Sequence, residues 1–148
     1  MIVPDTNLLL YAYNTSSPFH DLARKWWEGC LSGTEPVGLV HPVVFSFLRI
    51  STSSRAFPAP FTFAEAAEYV SAWLERRLTR ILQEGPDHVG QVLALLADAA
   101  SAGGNLVTDA QVAAIAIAHG ATVHTADRDF MRFRDLDCHF PLDEALRK

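Results

Sequence analysis

The chain has 148 residues, of which 49% are hydrophobic and 20% are charged, and its formal net charge is −5 at pH 7. These values are typical of one globular domain with a sizeable core, so we predict a single domain over residues 1–148 and exclude a disordered chain. The negative charge argues against broad electrostatic binding to nucleic acid, but an acidic metal site in a nuclease would contribute several of those charges.

The sequence shows neither a membrane span nor a signal peptide. The apolar run at residues 37–48 contains Gly, His, Pro and Ser and is too short to cross a bilayer. Asp5 interrupts the first apolar stretch, and no basic residue precedes it. Cys30 and Cys138 are far apart and lack the spacing of zinc ligands. We therefore expect a cytoplasmic protein with reduced thiols and no membrane partner.

Short apolar strands and amphipathic helices alternate in the first part of the chain. The second of these helices carries Leu22, Trp26 and Cys30 on one face, and we expect its aromatic residues to lie in the core. A proline near the start of the third helix suits the first turn. In chain order we predict a strand at 2–4, helices at 8–13 and 18–33, a strand at 37–40 and a helix starting near Pro42.

The same alternation continues after a loop rich in Ser and Pro at residues 51–62. Thr62 and Glu65 form a capping-box pattern, and Thr108 with Gln111 forms a second one. We predict helices at 62–77, at 86–102 before Gly103 and Gly104, and at 109–119 before Gly120, with strands at 79–82, 106–107 and 121–124. This order predicts an α/β fold with a largely parallel sheet.

Four aspartates stand out because each follows a segment with the pattern of a buried strand: Asp5, Asp109, Asp127 and Asp129. In an open α/β sheet, residues after the strands converge at the carboxyl edge, where such folds bind their ligands. Converging carboxylates repel one another, and a hard divalent cation relieves that repulsion. The sequence therefore predicts a Mg²⁺ or Mn²⁺ site.

A site of this kind suits the cleavage of phosphodiester bonds. Mg²⁺ prefers oxygen ligands and commonly takes one or two protein carboxylates together with waters and substrate phosphate. Two such ions about 4 Å apart activate a water and stabilise the leaving oxygen. Asp5, Asp109 and Asp127 are the predicted metal ligands and Asp129 is a fourth catalytic candidate. The pattern leaves open whether one or two ions bind.

Several segments together resemble a PIN domain, and more closely the VapC-type ribonuclease toxins of bacterial toxin–antitoxin systems. The resemblance covers nearly the whole chain, and it depends on the order and spacing of the motifs. The segments are Asp-Thr-Asn at 5–7, Phe-Leu-Arg-Ile-Ser-Thr at 47–52, Leu-Val-Thr-Asp-Ala at 106–110 and Thr-Ala-Asp-Arg-Asp-Phe at 125–130.

The resemblance implies an α/β/α sandwich around a largely parallel sheet and a Mg²⁺- or Mn²⁺-dependent endoribonuclease. It also implies a small VapB-like antitoxin that blocks the site, and a homodimer. The RNA substrate would be a tRNA or a ribosomal RNA loop. By position, Asp5, Asp109 and Asp127 match the metal-binding aspartates. The polar residues that match the surroundings of that site are Thr6, Asn7, Thr125 and Asp129.

One position departs from the family pattern. The family commonly has a glutamate on the helix that carries the Leu-Arg pair, and Ser46 stands at that position here. No acid occurs between His41 and Thr52, so a neighbouring residue does not supply the carboxylate. The consequence is a single-metal site, a water in place of the carboxylate, compensation by Asp129, or weak activity.

Four basic residues are candidates for binding RNA. Arg128 and Arg132 flank the acidic cluster, and Arg49 belongs to the Leu-Arg pair. His20 occupies a place where these toxins often carry a histidine, although a surface or helix-capping role is the simpler interpretation. A separate cluster, Arg76, Arg77 and Arg80, is interpreted as a solvated helix end.

Two other functions compete with the nuclease. A haloacid-dehalogenase-type phosphatase also begins with an aspartate after its first strand, but it needs an acid two residues later, where this chain has Asn7. It also needs a lysine near the later acids, and Lys25 and Lys148 are unsuitably placed. The other alternative is a non-catalytic PIN domain that binds RNA or a partner. It is suggested by Ser46, which stands where the family commonly has a glutamate.

Overall fold

A computed structural model of the chain describes residues 1–99 and 106–148. In this part, five short strands form one sheet in which every neighbouring pair is parallel, in the order β3-β2-β1-β4-β5. The predicted α/β class and parallel sheet are therefore confirmed. The strands are β1 (Ile2–Pro4), β2 (Val37–Leu39), β3 (Thr79–Ile81), β4 (Thr122–His124) and β5 (Asp137–His139).

Helices connect the strands and cover the sheet. With this strand order, the right-handed rule for parallel crossovers assigns the helices between β1 and β3 to one face and those between β3 and β4 to the other. On the first face α1 packs against α2 and α3, and α3 packs against α4, while α5 packs on α6. The described helices are α1 (Thr6–Tyr13), α2 (His20–Ser32), α3 (His41–Ser51), α4 (Phe63–Leu74), α5 (His88–Asp98), α6 (Leu106–Ala118), a 3₁₀ helix (Arg128–Arg132) and α7 (Pro141–Leu146).

The strand order explains where a ligand site should lie. From β1 the chain moves outward through β2 to β3, and then returns to place β4 on the other side of β1. Val3 pairs with Val123 across β1 and β4. Crevices in open α/β sheets form where the strand order reverses in this way, beyond the carboxyl ends of the strands. The ends of β1 and β4 therefore frame the candidate site.

Aromatic and aliphatic side chains from α1, α2, α3 and α4 form the core on one face. Trp73 is 1% exposed, and its indole Nε1 donates to the Tyr13 hydroxyl at 2.7 Å. Phe47 packs against Trp73 with ring centroids 4.8 Å apart, and Trp27 is also buried. Aromatic pairs in such geometry add stability beyond their buried area. The predicted core position of Trp27 is therefore confirmed.

The predicted apolar face of α2 is displaced by one residue. Ala23 and Trp27 are the deeply buried residues of this helix, whereas Leu22, Trp26 and Cys30 are half-buried. Both sets have helical spacing, so periodicity alone does not choose between them. Packing against α1 decides which set enters the core.

The predicted strand at 106–107 is wrong. Leu106 and Val107 are the first described residues of α6, so Asp109 lies in the first turn of that helix and Thr108 is not its cap. A two-residue apolar segment carries no period that separates a strand from a helix. In the structure Leu106 is one of the buried residues of α6, so the segment packs as part of the helix.

Other boundaries differ by a few residues. The helix predicted to reach residue 77 ends at Leu74, because a tight turn with Thr79 N bonded to Arg76 O leads into β3. The predicted end of α5 near residue 102, with its two glycines, lies outside the described residues. The sequence-based prediction missed β5, α7 and the 3₁₀ helix.

Local capping signals match the structure at two places. At α4, Thr62 Oγ1 accepts from the Glu65 N–H and Glu65 Oε1 accepts from the Thr62 N–H, both at 3.1 Å. Gly120 follows α6 with φ of 62°, a conformation that glycine adopts without strain. Across residues 1–99 and 106–148, no helix is long and apolar enough to cross a membrane.

Candidate active site

Asp5 is the buried centre of the site. It follows β1 directly and is the N-cap of α1, and only 6% of its surface is exposed. Its Oδ1 accepts from the Thr6 N–H at 2.7 Å, and its Oδ2 accepts from the Thr125 hydroxyl at 2.8 Å. Burial raises the pKa of this carboxyl to about 6, although the bonds from Thr125 and Thr6 counteract the rise.

Thr125 connects the ends of β1 and β4. It follows β4 and is fully buried. While its hydroxyl donates to Asp5, the same oxygen accepts from the Asp127 N–H at 2.9 Å. Asp127 in turn caps the 3₁₀ helix, with its Oδ1 accepting from the Asp129 N–H at 2.9 Å. One chain of hydrogen bonds therefore runs from Asp5 to Asp129.

Asp109 approaches this chain from the first turn of α6 and is half-buried. Its pKa is raised to about 7, first by burial and then by the charges of Asp5, Asp127 and Asp129. The charge of Asp127 also raises the pKa of Asp5. The structure therefore brings the other three predicted aspartates within electrostatic reach of Asp109, and repulsion adds to burial in disfavouring ionisation of Asp5 and Asp109.

The carboxylates converge without forming a closed cage. Within residues 1–99 and 106–148, no three His, Cys, Asp or Glu side chains are arranged to hold one metal ion together. Both oxygens of Asp5 and one oxygen of Asp127 already accept hydrogen bonds from the protein. The set of three direct ligands therefore stays a prediction. A Mg²⁺ ion held by one or two carboxylates, waters and a phosphate needs no such cage.

The remaining polar candidates lie at different depths. Thr6 is half-buried and binds Asp5 through its backbone N–H, while Asn7 is exposed in the first turn of α1. Ser46 is half-buried on α3, next to the fully buried Phe47. Its side chain is too short to replace the carboxylate of a glutamate at that position.

The four basic candidates have distinct surroundings. The Arg132 Nε lies 3.4 Å from Asp129 Oδ1, and both side chains are about half exposed. Arg49 is exposed in the last turn of α3. His20 Nδ1 is bonded to the Tyr11 carbonyl at 3.0 Å, which ties the start of α2 to α1. Their roles in RNA binding stay predictions.

Arg128 contacts the C-terminal part of the chain. Its guanidinium donates to Asp143 Oδ2 and lies 3.8 Å from the centre of the Phe140 ring. The sequence-based analysis missed both partners. A signal was present, because Pro141 followed by Asp143 and Glu144 is typical of a helix start.

A histidine pair lies beside the site without joining it. The Trp26 Nε1 donates to His124 Nδ1 at 3.2 Å, and the His124 and His139 rings are 4.6 Å apart. Burial, followed by the charge of His139, lowers the pKa of His124 to about 4. His124 is therefore a half-buried residue whose ring already has a hydrogen-bond partner.

Comparison with known proteins identifies relatives over most of the chain. The family model of the PIN domain matches residues 2–136. Ribonuclease VapC33 of Mycobacterium tuberculosis is 44% identical over 144 residues, which are 97% of this chain and 100% of that protein. Ribonuclease VapC31 of the same organism is 38% identical over 133 residues, covering 90% of this chain and 93% of that protein.

Solved structures share the fold at low sequence identity. VapBC2 from Rickettsia felis, bound to a DNA fragment from its promoter, has a TM-score of 0.67 at 21% identity and covers 94% of this chain and 98% of that one. Mycobacterium tuberculosis VapC20, a toxin that cleaves the sarcin-ricin loop, has a TM-score of 0.66 at 18% identity, with 93% and 99% covered. At these identities the likeness supports the fold alone.

Proposed function

Because the chain belongs to the PIN-domain family, and within it to the VapC ribonucleases, we propose that it is a Mg²⁺- or Mn²⁺-dependent endoribonuclease toxin. The observation that carries the proposal is the group of four carboxylates between the ends of β1 and β4. Burial raises the pKa values of Asp5 and Asp109, and the charges of the neighbouring carboxylates raise them further. A divalent cation would relieve this excess of negative charge.

The donor set suits a hard cation. All four side chains are carboxylates, which Mg²⁺ and Mn²⁺ favour over softer ligands. Asp5, Asp109 and Asp127 would hold the ion, with Asp129 as a further ligand or a contact to its waters. A divalent ion bound there supplies positive charge to the phosphate and activates water for attack on the phosphorus.

Hydrogen bonds within the chain preorganise this site. The Thr125 hydroxyl donates to the Asp5 carboxylate at 2.8 Å and accepts from the Asp127 N–H at 2.9 Å, so both acids are held by the same side chain. The Asp127 cap holds Asp129 in the first turn of the 3₁₀ helix. Such preorganisation lowers the cost of binding a charged ligand.

The proposed reaction is hydrolysis of an RNA phosphodiester. The oxygen of a water forms a bond to phosphorus, the bond to the 3′ oxygen breaks, and that oxygen leaves as a hydroxyl after taking up a proton. The products carry 5′-phosphate and 3′-hydroxyl ends. A single-stranded loop of tRNA or ribosomal RNA is the proposed target, since specific recognition of RNA favours bases that can be splayed out.

A small VapB-like antitoxin is the proposed partner, and the toxin is proposed to be a homodimer. The exposed cations Arg49 and Arg132, with His20, are the proposed contacts to the RNA backbone. A protein with a net charge of −5 needs local positive charge near its site, because the remainder of its surface repels RNA.

The test is cleavage of total cellular RNA by the purified, antitoxin-free chain in Mg²⁺ or Mn²⁺, with EDTA as a metal-free arm. Asp109→Asn and Asp127→Asn are the inactive variants, and Glu68→Gln, an exposed acid on α4, is the matched control. Discrete cuts with 5′-phosphate ends in wild type and in the control variant alone would support the proposal. Uncut RNA in both metals with folded wild type would refute it.

A binding-only PIN domain is the second candidate, because Ser46 lacks the family carboxylate. In that case wild type would bind RNA without cutting it, and Asp109→Asn would bind equally well. Ser46→Glu adds a further test, since a restored ligand should strengthen Mn²⁺ binding if the helix position is part of the site. The phosphatase alternative loses its support, because the matched family is the PIN domain.

A further inference from the structure

Arg128 stands between two of the candidate site acids in sequence, yet its side chain contacts a different part of the fold. The backbone of Arg128 links Asp127 to Asp129 in the 3₁₀ helix. Its guanidinium is paired with Asp143 and lies over the ring of Phe140, with Cζ 3.8 Å from the ring centre. Both partners lie beyond residue 136, where the matched PIN segment ends.

The helix that carries these partners is anchored in the core. Leu142 of α7 is only 4% exposed, and α7 packs against α2. Phe140 directly precedes α7, and Asp143 lies in its first turn. The Arg128 side chain therefore connects the 3₁₀ helix to α7, which is anchored in the core by Leu142.

The same turn is held on its other side by the hydrogen bonds of the site. The Asp127 N–H donates to Thr125 Oγ1, and the Asp129 N–H donates to Asp127 Oδ1. A 3₁₀ helix has poorer hydrogen-bond geometry than an α-helix, so its position depends strongly on side-chain contacts. A displacement of Arg128 would move the backbone of both neighbouring acids.

We propose that Arg128 is a positioning residue of the carboxylate site. By stacking on Phe140 and pairing with Asp143, it holds Asp127 and Asp129 where they bind the divalent ion. The C-terminal helix α7 thereby helps to position the site acids, although it lies outside the matched PIN segment. This inference rests on the proposed function and assigns Arg128 a role other than contact with RNA.

The chemistry of the side chain suits this role. A guanidinium is planar, so one face stacks on an aromatic ring while its edge donates to a carboxylate. A lysine ammonium does not combine the two contacts in that way. The Arg128 and Asp143 side chains are 59% and 42% exposed, so each contact alone is weak and the two act together.

The test separates positioning from RNA binding. The variants are Asp143→Asn, Phe140→Leu and Arg128→Lys, and the matched control is Glu144→Gln, which removes the same charge from the same helix. Glu144 lies 3.6 Å from His139 and does not pair with Arg128. Calorimetry of Mn²⁺ binding to RNA-free protein is the first measurement, and kcat and KM for RNA cleavage are the second. Melting temperatures show that each variant is folded.

We expect the three variants to bind Mn²⁺ about 3- to 10-fold more weakly and to lose kcat by a similar factor, with KM unchanged. Glu144→Gln should match wild type. Asp143→Glu should recover most of the loss, because it restores a carboxylate for Arg128.

Unchanged Mn²⁺ affinity and kcat in Asp143→Asn and Phe140→Leu would overturn the inference. An Asp143→Asn variant with lower KM and unchanged kcat would also overturn it, since a released Arg128 would then be binding RNA. Wild type that binds Mn²⁺ but cuts no RNA would refute the proposed function alone, and the Mn²⁺ affinities would still decide the role of Arg128.

Discussion

Replacing Asp109 by Asn should stabilise the metal-free protein at pH 8 and abolish RNA cleavage. Burial and three neighbouring carboxylates raise the pKa of Asp109 from 3.8 to about 7. The ionised form is therefore disfavoured in the folded state. The neutral asparagine removes that penalty together with a candidate ligand.

The magnitude follows from the pKa shift. One pKa unit corresponds to about 1.4 kcal/mol, so a shift of about three units sets an upper limit of about 4 kcal/mol. Asp109 is only half-buried, and solvent screening reduces the value to about 1–2 kcal/mol. For a domain of this size we expect a rise in melting temperature of about 2–8 °C.

The sign of the pH dependence provides a second check on the same variant. A raised carboxyl pKa means that the folded state binds the proton more tightly than the unfolded state. Stability of the metal-free wild type should therefore fall as pH rises from about 4 to about 7. At pH 5 Asp109 is mostly protonated when folded, so most of the advantage of asparagine over wild type should vanish.

The assay is thermal unfolding in EDTA at pH 5 and pH 8, for wild type, Asp109→Asn and the exposed-acid control Glu68→Gln. Cleavage of RNA in Mn²⁺ is measured on the same samples. A melting temperature at pH 8 that is unchanged or lower in Asp109→Asn would refute the unfavourable ionisation of Asp109 that burial and the neighbouring carboxylates are argued to cause. Retained cleavage would remove Asp109 from the metal site.

Three further predictions test other parts of the structure. Mn²⁺ at about 100 times its Kd should stabilise wild type by about 2.7 kcal/mol at pH 8 and much less at pH 5, where Asp5 and Asp109 hold protons, as measured by thermal unfolding. Thr125→Val should cost about 2 kcal/mol in denaturant unfolding, because it leaves buried partners of the hydroxyl unpaired, whereas Thr125→Ser should cost less. Thr62→Ala should lose about 1 kcal/mol of stability through its capping box and leave cleavage unchanged.

Each of these predictions has a contrary result. Equal stabilisation by Mn²⁺ at both pH values would mean that the ion binds away from the two titrating acids. A Thr125→Val variant as stable as wild type would show that the bridge between Asp5 and Asp127 contributes little. Lost cleavage in a folded Thr62→Ala variant would connect the start of α4 to the site.

Local signals in the sequence predicted much of the framework. The strand at 2–4 and the capping box at Thr62 depend on neighbouring residues, and both are present in the structure. Asp5 was placed correctly because it directly follows a recognisable strand. Asp109 was placed in a first helical turn for a partly wrong reason, since a helical segment and not a strand precedes it.

Contacts between residues far apart in the sequence could not be predicted from these local signals. Thr125 and Asp5 are 120 residues apart, and they meet only because β4 returns to pair with β1. Arg128 was a candidate for RNA binding because it flanks the acids in sequence. Its actual neighbours, Phe140 and Asp143, depend on where α7 packs.

The residue types at the site and most of the local elements that carry them could be predicted from the amino-acid sequence, because caps, turns and hydrophobic periods are properties of adjacent residues. Which carboxylates interact electrostatically, and which residues the Arg128 side chain contacts, depend on the tertiary structure. Burial and charge–charge repulsion depend on distances across the sheet, so the raised pKa of Asp109 and the attachment of Arg128 to α7 arise from strand order and helix packing.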